Sequence, residues 1–151
     1  MFFDVAEYLN NFKTNLLSEL SEDIFAADIY SGELDNLSEN KLTFKGNAKS
    51  QVYISFLNVN NQRKTTGNIR ADIYFACFVV TAVDKKMSGF STKGVEHTQK
   101  IIKFIANKNN LTNKQLGTNI IEWRNIVNNV DTQKMYNIHR IVFKIEGLLE
   151  Y

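Results

Sequence analysis

The sequence predicts an α+β fold: a two-layer sandwich in which two α-helices pack on one face of a mixed or antiparallel β-sheet. Three observations point to it. Four segments alternate apolar and polar residues at period two, the signature of a pleated, half-buried strand. Two segments repeat apolar residues at three- and four-residue spacing, the stripe of an amphipathic helix. Long strands also follow each other across short polar connections, as expected when hairpins build a sheet and helices cover one side. At 151 residues the chain is expected to be one domain, 1–151, large enough to bury a core without disulfides or metal.

The centre of the sheet is expected at Ile69–Asp84. Its odd positions, from Ile69 through Phe75 and Cys77 to Val83, are almost all apolar. Its even positions are charged at the ends (Arg70, Asp72, Asp84) and apolar in the middle (Tyr74, Phe78, Val80). A strand rich in aromatic and β-branched residues on both faces is one that is covered on both faces at its midpoint. A helix is expected on one side and a neighbouring subunit on the other.

The remaining elements follow in chain order. Asp4–Leu20 predicts a helix through Val5, Leu9, Phe12, Leu16 and Leu20, with Asp4 and Glu7 in the first turn, where carboxylates oppose the helix dipole. Ile24–Tyr30 reads as a short strand ending in a Ser31-Gly32 turn. The polar stretch Glu33–Lys49 reads as an irregular loop. Gln51–Val59 is a strand with Val52, Ile54 and Phe56 on one face, and Asn60–Asn68 is its hairpin connection to the central strand. Lys85–Thr92 is a loop before a second helix, about Lys93–Lys108, whose inner stripe is Val95, Thr98, Ile101, Ile102 and Ile105. Thr118–Val130 places Ile121, Trp123 and Val127 on one face. Met135–Leu148 gathers His139, Ile141, Phe143 and Ile145, and residues 128–132 turn between these last two strands.

Little in the sequence suggests catalysis. Ser88–Gly94 contains Gly, Ser, Thr and Lys between a strand and a helix but matches neither phosphate-loop spacing. Two histidines, His97 and His139, and the single Cys77 give no metal-ligand spacing, and nothing aims Cys77 at His139 as a nucleophile and base. Cys77 is expected to be inert core, and His139 a hydrogen-bonded core histidine. No enzyme activity, metal or cofactor is expected. No basic segment opens the chain and no apolar run is long enough to span a bilayer, so neither a secretory signal nor a membrane partner is expected.

Charge is unevenly laid out. Residues 1–40 hold nine acidic groups and one basic, while residues 41–151 hold seventeen basic and seven acidic. Such a molecule suits contact with copies of itself or with an oppositely charged partner. Lys85, Lys86, Lys93, Lys100 and Lys103 surround Phe90, a combination that can track phosphates and stack a base. A nucleic-acid-binding accessory module using Lys85–Lys103 is therefore the alternative reading.

The order of an opening amphipathic helix, a variable loop, the extended segment Gln51–Asn58, the long strand Ile69–Asp84, the Gly-containing loop Lys85–Gly94, the helix Val95–Ala106 and a closing pair of strands resembles the phage tail-terminator and tail-completion group, including the Gp37 family of Mu-like phages. Members usually carry a proline before the strand matching Gln51–Asn58, and this chain has none. The resemblance implies a structural role without a cofactor. Such a protein forms a ring, usually hexameric, that caps the tail tube, ends its polymerisation and joins it to the neck or sheath. Its expected place is a virion tail or headless contractile particle assembled in the bacterial cytoplasm, its partners itself, the tube protein, and sheath or neck proteins, with no specific nucleic acid. The expected interface residues are Tyr74, Phe78 and Val80 on the outer face of the central strand. Glu19, Glu22 and Asp23 are expected near a neighbour's Lys85 and Lys86, with unlike surfaces meeting head to tail.

Overall fold

A computed structural model describes residues 2–34, 49–65, 67–83, 92–107, 115–130 and 135–150. Two helices, α1 (Val5–Glu19) and α2 (Thr92–Asn107), accompany five strands: β1 (Ile24–Ile29), β2 (Ser50–Thr65), β3 (Asn68–Val83), β4 (Gln115–Val130) and β5 (Met135–Glu150). The strands form one sheet in the order β1-β2-β3-β5-β4. β1 runs parallel to β2 and every other pair is antiparallel, so the sheet is mixed. The α+β sandwich read from the sequence is the observed architecture, with β3 central.

α1 begins where Asp4, in extended conformation, accepts a hydrogen bond on Oδ1 from the Glu7 amide at 3.0 Å. Asp4 is thus the N-cap and not a first-turn residue, satisfying one amide that the helix cannot pair internally. The buried stripe is Tyr8, Phe12 and Leu16, while Val5 and Leu9 lie at its margin. The Tyr8 ring packs 4.7 Å from Phe75 at the middle of β3. α2 buries His97, Thr98, Ile101, Phe104 and Ile105, with Ile102 half-buried. Phe12 and Phe104 meet edge to face at 5.4 Å, joining the two helices over the sheet. The main core lies between this layer and Ile54, Ile73, Phe75, Cys77, Ile141, Phe143 and Ile145. Cys77 is completely buried there, and burial pushes its thiol well above the usual range, as inert packing requires.

Two connections differ from expectation. The 60–68 stretch is not simply a loop: β2 and β3 continue as a two-stranded ribbon to the pair Thr65↔Asn68, with Gly67 between them at φ 82°. Bulged pairing between Asn60 and Arg63 absorbs the irregularity, and Asn61 there takes φ 55°, a conformation asparagine tolerates better than most residues. Its amide donates to Asp72 at 2.8 Å, and Lys144 lies 3.5 Å from the same carboxylate. The Asn61 bond, more than the Lys144 charge, holds the Asp72 carboxyl below its ordinary range. The second difference is in β4, where pairing with β5 shifts at Gln115/Gly117, Ile120/Glu122 and Asn125/Val127. Each shift resets the alternation, so Ile121 does not share the row of Trp123 as period two implied. Of the predicted connections Glu33–Lys49, Lys85–Thr92 and 128–132, residues 35–48, 85–91 and 131–132 lie outside the described residues, while Asn128–Val130 pair with β5 as the end of β4 and are not a turn.

Candidate functional site

Three places gather residues of functional interest: a buried polar corner, the outer sheet face, and the sheet's two open edges.

At the corner, four residues distant in sequence converge. Ser50 opens β2, Thr81 lies near the end of β3, His97 is in the second turn of α2, and Asp23 precedes β1. Ser50 Oγ lies 2.7 Å from Thr81 Oγ1 and 2.6 Å from His97 Nδ1, and His97 Nε2 lies 3.4 Å from Asp23 Oδ1. A carboxylate can only accept, so the imidazole proton belongs on Nε2, leaving Nδ1 to accept from the Ser50 hydroxyl. This is the residue set of a hydrolytic triad, but Ser50 is 0% and His97 2% exposed. A nucleophile needs room beside it for a reacting carbonyl, and here the hydroxyl is enclosed, with Thr81 and His97 against it. The arrangement ties β1, β2, β3 and α2 together, helped by Lys49 Nζ on the Ser21 carbonyl at 2.9 Å.

His139, on β5, sits nearby. Its Nδ1 accepts from the Trp123 indole at 3.1 Å, because an indole N–H can only donate. Desolvation holds both imidazoles below their ordinary pKa, for His97 against the opposing pull of Asp23 and Glu96 and with Lys100 and Lys93 reinforcing it. A histidine depressed in the folded state is neutral in both states above about pH 6.5 and contributes nothing to the slope there. Below that, the unfolded chain takes up protons first. Stability is therefore expected to fall as pH drops below about 6.5. Urea denaturation of wild type and His97→Gln between pH 7.5 and 5 checks this: the wild-type slope should be steeper, and parallel slopes would show that His97 titrates normally.

The outer sheet face carries the sequence-predicted interface residues. Val80 is completely buried against Tyr53 and Ile138 in a second, smaller core. Phe78 is half-buried beside it, with the Tyr30 ring 5.0 Å away, and Leu34 packs against the same cluster. The segment after β1 thus covers this end of the face from within the chain. Val80 is withdrawn from any subunit contact, because a side chain with no exposed surface cannot meet a neighbour. Tyr74 lies farther along β3 and remains half-buried.

The acidic residues fall at the end of α1. Glu19 and Glu22 are exposed, whereas Asp23 binds Lys100 of α2 at 2.9 Å. Glu19 also lines a cleft of about 220 Å³ with Lys100 and Lys103. Acidic and basic parts of the chain therefore meet within one molecule at this end, and Asp23 is already engaged. Lys85 and Lys86 lie outside the described residues.

The sheet edges had no signal in the sequence. Among the described residues, β4 has no strand beyond it, and β1 covers β2 only as far as Ile54. Phe56, Leu57, Leu116, Ile121 and Trp123 are the exposed large apolar ones among the described residues, at 37–52% exposure. All five lie on β4 or on the uncovered part of β2. Three of them, Leu57, Leu116 and Ile121, are the residues skipped where the register shifts. Bulges on lone edges commonly turn charge or backbone away from association; these bulges present apolar side chains instead.

No family model and no curated protein matches the chain. Among the described residues, no helix is long and apolar enough to cross a membrane.

Proposed function

We propose that this chain is a structural protein of a phage tail or contractile phage-tail-like particle, forming a head-to-tail ring that caps the tail tube, ends its polymerisation and joins it to the neck or sheath. The observation that carries the assembly part of this reading is the exposed apolar residues at opposite sides of the sheet, on β4 and on β2 beyond β1. A ring subunit needs two unlike adhesive surfaces, one for each neighbour. The order of elements, which resembles the tail-terminator group, supplies the tail-tube context. Burial of Ser50 and His97 favours a structural role for the polar corner over a catalytic one.

The competing reading, a nucleic-acid-binding module, retains Lys93 and Lys103 as exposed cations on α2, while Lys100 is shared with Asp23. A salt titration of binding to single- and double-stranded DNA separates the two. An assembly protein is expected to show only weak, non-specific attraction. Submicromolar affinity falling steeply with salt, as counterion release demands, would favour the nucleic-acid module.

A further inference from the structure

Resting on the ring reading, we infer that the seam between neighbouring copies is a strand pairing in which the first half of β4 adds antiparallel to the part of β2 beyond Ile54, which no described strand covers, extending one sheet through the ring.

Strand direction is the first support. Along the order β1-β2-β3-β5-β4, β2 and β5 run one way and β3 and β4 the other. A second copy rotated about an axis along the strands keeps those directions, so its β4 arrives antiparallel to β2. Antiparallel addition to an edge that no described strand covers pairs backbone amides and carbonyls across the seam.

Row alignment is the second. Following the pairs across the sheet, Phe56 shares a row with Phe75, Phe143 and Ile120. Asn58 lies on the row of Tyr74, Lys144 and Asn119, and Val59 on that of Ile73, Ile145 and Thr118. Asn60 likewise shares the row of Asp72, Glu146 and Gly117. The open part of β2 and the first half of β4 therefore stand at one level along the sheet. A rotation without translation sets them side by side, as a closed ring requires and a helical filament does not.

The third support is what lies there. Phe56 and Leu57 are exposed on one side of this seam, and Leu116 and Ile121 on the other. A two-fold pairing of β4 with itself would bury the second pair and leave the first in water. Head-to-tail pairing buries both, and burial of apolar surface is the main source of association energy.

Paired cysteines test the register. Asn58 and Asn119 are exposed and share a row, so Asn58→Cys and Asn119→Cys on neighbouring copies would face each other at a separation a disulfide can bridge. Native Cys77 is buried and gives no background. Leu57→Cys with Ile121→Cys provides a second pair at bulged, solvent-facing positions. Under mild oxidation of the concentrated full chain, each double variant is expected to give a ladder of linked oligomers ending at one closed size, and each single variant no ladder. A linked dimer from Asn119→Cys or Ile121→Cys alone would show two-fold β4 pairing and overturn both the seam and the ring. Rings seen by light scattering without cross-links would overturn the seam and leave the ring standing. A chain that stays monomeric and unlinked at every concentration would overturn a seam held by these edges.

Discussion

Replacing Phe75 by alanine is expected to lower the unfolding free energy by about 3–5 kcal/mol. Phe75 is completely buried at the centre of β3. Its ring lies 4.7 Å from Tyr8, 5.5 Å from Phe143, 6.0 Å from Phe56 and 6.4 Å from Phe3. Those partners come from α1, β5, β2 and the N-terminal segment, so no single element can move inward to fill the space. A cavity that cannot collapse adds its own cost to the lost transfer energy. Chemical denaturation should show a lower midpoint with an unchanged slope. A loss below about 1 kcal/mol, the typical cost of a point substitution, would mean that the aromatic cluster does not hold the two layers together.

Aspartate at Leu57 or Ile121 is expected to abolish self-association while leaving the monomer intact. The two side chains are 47% and 52% exposed, so a charge there stays hydrated in the single chain. Such surface changes usually move stability by no more than about 0.5 kcal/mol. At a closed seam the same carboxylate would be desolvated without a partner, and each roughly 1.4 kcal/mol of that cost weakens association tenfold. Because the seam joins unlike edges, each variant blocks one side only. Either should therefore cap growing wild-type chains in a mixture, read as shorter oligomers by sedimentation. If both variants associate as wild type does, the edges are not the contact.

How much of this was legible depended on how far each feature obeyed its local period. β3 and β5 were readable because buried strands with unbroken alternation have few alternative readings. The ribbon end of β2 and β3 was not. Residues 60–68 are polar on both faces, and two strands in water need no alternation. The face of α1 was read correctly at Phe12 and Leu16, with Val5, Leu9 and Leu20 at its margin, but Tyr8 was missed because it carries a hydroxyl and ranks between core and surface types. In β4 the failure was one of parity: a skipped residue at Ile121 inverts the assignments after it until the shift at Asn125/Val127 inverts them again, and a sequence does not mark a bulge. The Asp23, Ser50, Thr81 and His97 corner had no sequence signal. Its members are common polar residues brought together only by the parallel placement of β1 beside β2. That placement also leaves β2 beyond Ile54 without a described strand beside it, the second edge on which the assembly reading depends.

Electron cryomicroscopy of particles assembled with this chain tests head-to-tail closure most directly. The expected image is a closed ring at the tube end, with β2 of each copy against β4 of the next and Leu57, Leu116 and Ile121 buried between them. A two-fold dimer, or a ring that leaves both edges in solvent, would contradict it.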